Sequence, residues 1–474
     1  MSGVPDSTPD QVRASLVAAR AAAPVLAASS PAERAEWLGA IASALEDDVA
    51  GLVELADRET GLGRERLTGE VHRTAGQLRH YASAAVEGSY LGVTIDNGTP
   101  RLVRVNVPLG PVAVFGASNF PFAFSVLGND TASALAAGCP VVVKAHPAHA
   151  GLSDRLARLA ERHAPEGAFS LVHGFEAGRD LVTAPETAAV AFTGSQAGGL
   201  ALWRLANERE RVIPVYAEMG TVNPVVVTPS AAADLDDLAA GFVGSFTLGS
   251  GQFCTKPGLL FAPAGHDAAN RVAHALRAAE PTPFMLTEAI ASGVPAGVAR
   301  LVDAGARLVA TTPDTLGPGR TAAAAVLAVP IGLLAAGSPL LEECFGPVAL
   351  VAEYADTGEL RAALGTLPGS LAAAVMPAGD DDPDASWLVA TLATTAGRVT
   401  VGDWTTGVAY TWAQHHGGPW PATSVPWATS VGAAALTRFV RPVAYQSAPD
   451  SCLPVPARAD NPWRVPRRID GVLA

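Results

Sequence analysis

Two apolar runs decide how this chain folds: Val112-Ala113-Val114-Phe115-Gly116 and Pro140-Val141-Val142-Val143-Lys144, separated by a helical stretch from Asp130 to Ala137 that stops at Gly138. Neither run alternates. A strand open to water on one face alternates apolar and polar residues, so these are strands covered on both faces, as in a parallel sheet flanked by helices. The texture continues downstream. Leu152 to His163 reads as helix, Phe169 to His173 as strand, Gly178 to Thr183 as a helix start, Ala188 to Phe192 as strand and Gly198 to Asn207 as helix. A second such region opens near Asn223 with Pro224-Val225-Val226-Val227 and runs through a helix at Leu235 to Leu248, a strand at Gly258 to Ala262 and a helix at Asp267 to Ala279. Strands alternating with helices over short connections predict an α/β fold with parallel sheets.

Upstream the periodicity is helical. Thr8-Pro9-Asp10 precedes a helix from Gln11 to Leu26, and Ser30-Pro31-Ala32-Glu33 is a capping box with proline at the first helical position. Helical spacing then runs from Trp37 to Leu55 and from Arg64 to Ala85. After the turn Asp96-Asn97-Gly98-Thr99-Pro100, residues Arg101 to Val107 alternate as a strand exposed on one side. The tail from Val440 is rich in proline and arginine and is expected to pack on another subunit or domain.

With 474 residues, two domains or more are expected. A hydrophobic share of 49% against 16% charged suits a well-buried globular protein. The net charge of -13 argues against a nucleic-acid partner, which needs clustered positive charge. Met1 to Asp10 carries no secretory pattern, and the apolar run Thr321 to Gly337 is interrupted by Pro330 and Gly332, so a buried segment is expected there and no membrane span. Cys139, Cys254, Cys344 and Cys452 show no CxxC spacing, which fits a reducing cytoplasm and no structural zinc.

Basic residues number 32, and only Lys144 and Lys256 are lysine. Lys144 stands where a parallel strand meets its loop, the usual ligand edge of an open sheet. Lys256 follows Cys254 in Gly251-Gln252-Phe253-Cys254-Thr255-Lys256-Pro257-Gly258, where small neighbours would admit a substrate carbon and a cation would favour the thiolate. Taken alone, a cysteine is more often inert packing. Glu218, in Ala217-Glu218-Met219-Gly220, is placed as a general base, although a strand-end glutamate is more often solvated. Thr193-Gly194-Ser195-Gln196-Ala197-Gly198-Gly199 joins a strand to a helix, where free amides bind phosphate; alone it is equally a plain turn. His415 and His416 lack a third ligand at useful spacing, so no metal is expected.

Together these segments resemble the aldehyde dehydrogenase superfamily, in order and spacing, across nearly the whole chain. Ala117-Ser118-Asn119-Phe120-Pro121 is similar to the segment with the oxyanion asparagine, Lys144-Ala145-His146-Pro147 to the adenosine-ribose lysine, and Thr193-Gly194-Ser195 with Gly199 to the cofactor helix. Glu218-Met219-Gly220 is similar to the general-base motif, Gly251 to Thr255 to the nucleophile motif, and Glu343-Cys344-Phe345-Gly346-Pro347 to the segment gripping the nicotinamide ribose. The finer likeness, carried by Lys144 to His149, Leu248 to Gly258 and His416-Gly417-Gly418-Pro419-Trp420-Pro421-Ala422-Thr423, is to the α-ketoglutarate semialdehyde dehydrogenase branch and its NADP-using relatives.

The resemblance implies two Rossmann-like domains, cofactor (1–94 and 108–217) and catalytic (218–425), plus a small β arm and tail (95–107 and 438–474) for assembly as a homodimer or homotetramer. It implies catalysis by Cys254, Glu218 and Asn119. Cofactor contacts fall to Lys144, His146, Ser118, Thr193, Gly194, Ser195, Gly199, Glu343 and Phe345. Pro147 replaces the glutamate that favours NAD, and His146 would donate to a 2′-phosphate, so NADP is expected, with NAD possible as a second cofactor. Arg73, Gln77, Arg79 and Lys256 are candidates for anchoring a short acid semialdehyde. Lys256 stands where that branch has a neutral residue, and Met219 replaces leucine, a volume-similar swap. A general aliphatic aldehyde dehydrogenase, a coenzyme A-acylating relative and a non-catalytic relative are the alternatives; the first two are enzymes of different outcome.

Overall fold

The computed structural model describes residues 3–281, 283–313 and 320–473. Contacts divide the chain into two compact units. The first comprises Met1–Ala217, Ala409–Gln414 and Ala428–Ala474. It opens with helices Pro9–Ala28, Pro31–Asp47, Val49–Thr60 and Arg64–Glu87, the first two started by capping boxes at Thr8 and Ser30. The spacing predicts one helix from Trp37 to Leu55, but the backbone leaves the helical path at Asp48 (φ -116°, ψ 17°). Both Asp48 carboxylate oxygens accept from Arg155, at 2.6 and 2.7 Å, so a tertiary pair holds the residue where periodicity alone would continue the helix.

The buried runs form a sheet in the order Phe169–Val172, Val141–Lys144, Val112–Phe115, Ala189–Gly194, Val215–Met219. The first four strands pair in parallel. The chain builds outward on one side of Val112–Phe115 and then jumps to Ala189–Gly194 on its other side. Loops leaving these two strands flank the point where strand order reverses, the crevice in which such sheets hold ligands. A third element is a sheet ordered Val440–Gln446, Leu102–Pro108, Val93–Asp96, Arg467–Ile469, Val472–Leu473. Val103 and Val105 face inward while Leu102 and Arg104 are exposed, as the alternation requires. Three of its strands come from the tail, a long-range pairing that no local pattern announces.

The second unit comprises Glu218–Val408 and His415–Trp427. Its sheet has seven strands, in the order Arg307–Thr311, Ala325–Ala328, Val348–Tyr354, Leu259–Pro263, Pro224–Val227, Ser370–Met376, Ala396–Val401. All neighbours are parallel except Arg307–Thr311, which runs antiparallel at the edge. The expected buried run at 321–337 supplies Ala325–Ala328 to this sheet. Phe242, Phe246 and Phe261 are fully buried against it, each worth roughly 1.5–3 kcal/mol in apolar area removed from water. No helix among the described residues is long and apolar enough to cross a membrane.

Candidate active site

Helix Leu235–Thr247 ends in an abrupt turn in which Gly249, Ser250 and Gly251 all take left-handed conformations (φ 56°, 61° and 68°). Three such residues in a row redirect the chain into Gln252-Phe253-Cys254. Gly251 admits no side chain, since a Cβ there would collide with the backbone of Gly346 and Pro347. The buried Gln252 amide fixes the turn, donating to Phe284 O (3.1 Å) and accepting from Leu286 N (2.9 Å). Asn223, fully buried, donates its Nδ2 to Cys254 O (2.7 Å) and Lys256 O (3.0 Å), and its Oδ1 accepts from Ala372 N (3.1 Å). Cys254 is therefore set by a framework of side chain-to-backbone bonds and partly exposed.

Two ionisable side chains, His416 and Glu218, converge on its sulfur. His416 Nε2 lies 3.5 Å from Cys254 Sγ and 3.1 Å from Glu218 Oε1. His416 and Glu218 are almost wholly buried. Glu218 is located by the bridge between residues 218 and 423 and by Met219 N donating to Ala422 O (2.9 Å), so the segment bearing His416 is pinned to the strand bearing Glu218. Burial, then the charges of Glu218 and Glu343, push the Cys254 thiol well above its ordinary range. Glu343 is raised to about 7, first by burial and also by Glu218, against the opposing charge of Lys256. Its carboxylate lies on Gly220, where a Cβ would collide with it, and Oε1 has no hydrogen-bond partner. Phe345 is partly buried two residues on. Sequence reasoning gave His416 no catalytic role. Its signal was present in the run His416 to Thr423, whose likeness to one branch of the family went beyond any packing need. Asn223 was missed outright, because nothing local distinguishes it from a strand-start asparagine. The Sγ, Nε2 and carboxylate atoms all lie within 4.8 Å of one another, close enough for a thiophilic cation to bridge.

The first unit holds the other expected residues at the carboxyl ends of its strands. Ser118 and the buried Asn119 follow Val112–Phe115 in a loop gripped by one helical turn. Arg66 Nη2 donates to Asn119 O (2.6 Å), and Glu70 Oε1 accepts from Phe122 N (2.8 Å) and Ala123 N (3.0 Å). Lys144 ends strand Val141–Lys144, its ammonium made less basic by burial although Asp6 opposes this. His146 Nδ1 accepts from Ala148 N (3.2 Å). Burial and the neighbouring His149 and Lys144 bring it down to about 3, so the ring is neutral and its remaining N–H is at Nε2. Thr193 and Gly194 end strand Ala189–Gly194, and Ser195 Oγ caps helix Gln196–Asn207 by accepting from Gly198 N (3.2 Å). The Phe192 ring packs under this turn so closely that a Cβ at Gly194 or Gly198 would meet it at 2.7 or 2.9 Å. Gly199 is buried one residue further into the helix.

The four substrate-anchor candidates separate. Arg73, Gly76, Gln77 and His80 share one face of helix Arg64–Glu87. Tyr410 covers it, its ring centroid 5.5 Å from the Arg73 guanidinium carbon and 6.1 Å from His80. Gln77 is fully buried, and neither amide atom finds a hydrogen-bond partner. Arg79 points elsewhere, forming an exposed two-bond pair with Glu46 at 2.7 and 2.6 Å, a contact that surface pairs commonly make. Lys256 is also apart from the group. It is buried, and its Nζ donates to Cys344 O (3.0 Å) and Val348 O (2.7 Å). The same two bonds direct the ammonium to carbonyls and not to the Cys254 thiolate it was expected to stabilise.

The cysteine, glutamate and histidine cluster lies in one unit, and the ligand-edge lysine with its capped glycine turn lies in the other. A family model described as "Aldehyde dehydrogenase family" matches residues 1–419. The chain is 44% identical to alpha-ketoglutaric semialdehyde dehydrogenase 2 of Azospirillum brasilense over 461 residues, covering 93% of this chain and 87% of that one. It is 39% identical to alpha-ketoglutaric semialdehyde dehydrogenase of Acinetobacter baylyi over 462 residues, with the same coverage. Among solved structures, a crystal structure of an NAD-dependent aldehyde dehydrogenase from Sinorhizobium meliloti superposes with a TM-score of 0.79 at 25% identity, covering 93% of this chain and 88% of that one. This chain belongs to the aldehyde dehydrogenase family and is an oxidoreductase acting on aldehydes.

Proposed function

We propose that this enzyme oxidises α-ketoglutarate semialdehyde, or a similar short acid semialdehyde, to the carboxylate, with NADP preferred over NAD. The observation that carries the chemistry is His416 Nε2 standing 3.5 Å from Cys254 Sγ and 3.1 Å from Glu218. A thiol raised by burial and by carboxylate charge is a poor nucleophile until its proton leaves. His416 takes that proton at Nε2, and the imidazolium so formed is paired with Glu218. The Cys254 thiolate then adds to the aldehyde carbon. The resulting oxyanion is met by the Cys254 amide, with Asn119 as the side-chain donor that the family likeness supplies. After loss of hydride the adduct is a thioester; Glu218 takes a proton from the water that adds to it, and the leaving Cys254 sulfur recovers its proton from His416. A base retained at 218 supports hydrolysis over transfer to coenzyme A.

The residues fit a nicotinamide dinucleotide. Lys144 and His146 suit its adenosine end, Thr193 to Gly199 with Ser118 its phosphates and the adjoining groups, and Glu343, with an unsatisfied Oε1 and Phe345 nearby, the nicotinamide ribose. When bound, the cofactor supplies the hydride acceptor. Pro147 brings no carboxylate near Lys144 and His146, and the neutral His146 Nε2–H is free of the bond made at Nδ1, which supports NADP. Arg73 with the unsatisfied Gln77 amide suits the substrate's distal carboxylate, and the two α-ketoglutaric semialdehyde dehydrogenase relatives support that choice. The β arm is read as the assembly element of a homodimer or homotetramer, working in the cytoplasm. The test is a panel of semialdehydes and plain aliphatic aldehydes assayed with NAD and NADP in parallel. The reading predicts the highest kcat/KM for α-ketoglutarate semialdehyde with NADP; a plain aliphatic aldehyde as best substrate would overturn it.

A further inference from the structure

Lys256 has no place in the reaction set out above, yet it is one of two lysines in the chain and only 2% exposed. Burying an ammonium is costly unless its donors are met. Here Nζ donates to Cys344 O and Val348 O, which lie at the two ends of the loop that follows Glu343. The same residue is held from its other side, since Asn223 Nδ2 binds the carbonyls of both Lys256 and Cys254. Gly251 adds a second join, lying directly on the backbone of Gly346 and Pro347. Lys256 thus belongs to the nucleophile loop by its main chain and to the Glu343 loop by its side chain.

We propose that Lys256 is a positioning residue that fixes the Glu343 loop to the nucleophile loop and so holds the Glu343 carboxylate on Gly220 for the cofactor ribose. This rests on the reading of Glu343 as a ribose contact. Lysine suits the task because two carbonyls converge on one compact ammonium, where the planar fork of arginine would splay its donors. Its charge acts together with its position. Glu343 feels the charges of Lys256 and Glu218, and in turn acts on the Cys254 and Cys344 thiols, the latter also under Lys256 and Arg300. Lys256 is the cation among them that favours the charged carboxylate.

The experiment compares Lys256→Met, Lys256→Gln, Glu343→Gln and the Lys256→Met/Glu343→Gln pair in the full-length enzyme. Affinity for NADP and for NAD is read without aldehyde, by quenching of tryptophan fluorescence across the neutral pH range, beside thermal melting. Lys256→Met is expected to weaken cofactor binding at least about tenfold, the scale of hydrogen bonds from a charged donor, and to move the pH midpoint of binding upward. The double variant is expected to bind no more weakly than Glu343→Gln alone, since both act through one carboxylate. Parental affinity and midpoint in Lys256→Met, or a lowered melting temperature with unchanged affinity, would overturn the proposal by reducing Lys256 to packing. Should Lys256→Met fail to fold, Lys256→Gln keeps a donor without the charge, and an unmoved midpoint there overturns the proposal equally. Parental affinity in Glu343→Gln would instead remove the ribose reading, and this proposal with it.

Discussion

The cofactor residues follow strands of the first sheet, whereas the nucleophile and its neighbours precede strands of the second, and Glu218 joins the two by ending the first sheet's strand Val215–Met219. In the first unit, Ser118 and Asn119, Lys144, and Thr193 to Ser195 stand at or just beyond the carboxyl ends of strands, where an open α/β sheet is expected to bind ligands. In the second, Glu218 and Gly220 precede Pro224–Val227, Cys254 and Lys256 precede Leu259–Pro263, and Glu343 precedes Val348–Tyr354. The His416 segment lies at the same end, since Gly417 O meets Gly397 and Gly418 meets Ser370 O. The difference matters electrically. Carboxyl strand ends are served by helix N-termini, which favour anions such as cofactor phosphates. Amino strand ends follow helix C-termini, and Cys254 comes after the C-terminus of Leu235–Thr247. The dipole of that helix does not favour a thiolate, and the side chains His416 and Glu218 stand where its proton can be handled.

That contrast can be broken in order of size. Cys254→Ala is expected to abolish aldehyde oxidation, a loss above roughly a thousandfold, while the first unit's cofactor contacts keep binding intact; dehydrogenase activity surviving in this variant contradicts the nucleophile. His416→Asn removes the proton acceptor, and kcat is expected to fall by about a hundredfold. The rate of Cys254 alkylation by iodoacetamide should fall in parallel, with its pH profile moved upward; an unchanged alkylation rate would show that the thiolate forms without the imidazole. On the first unit's side, Glu70→Gln and Arg66→Met loosen the loop that carries Asn119. About a tenfold loss of kcat, near the worth of one charge-assisted hydrogen bond, is expected with cofactor affinity unchanged, and an equal loss in affinity would show that the loop serves both partners. For Glu343 the sign is set by its midpoint of about 7: the carboxyl is protonated below it and an ionised acceptor above it. Cofactor affinity should therefore rise through neutrality, and Glu343→Gln should flatten that rise. The smallest effect is expected from Pro147→Glu, a several-fold swing toward NAD measured as the ratio of kcat/KM values.

The first unit was the more legible of the two. The apolar runs at 112–115 and 141–143 are buried, so the absence of alternation specified the sheet, and Lys144 stood out because arginine fills every other basic position but one. The capping box at Ser30 was legible because capping is a local exchange of hydrogen bonds, while at Thr8 only the helix start was read and the structure adds the box. What failed was long-range. The break at Asp48 depends on Arg155, the arm's three further strands come from the tail, and His416 reaches Cys254 from 162 positions along the chain. Lys256 was misread for a related reason. Its neighbour in sequence is the nucleophile, but its side chain follows the strand pair Leu259–Pro263 and Val348–Tyr354 into the interior.

The place of His416 in the chain has a consequence for how the enzyme comes into being. The seventh strand of its sheet ends at Val401, so every strand behind Cys254 is synthesised before the segment 415–427. Until that segment is laid across the strand starts, the thiol stands beside carboxylates with no imidazole to take its proton. A chain shortened before residue 415 would lack that imidazole, and its Cys254 is expected to alkylate more slowly than in the whole chain.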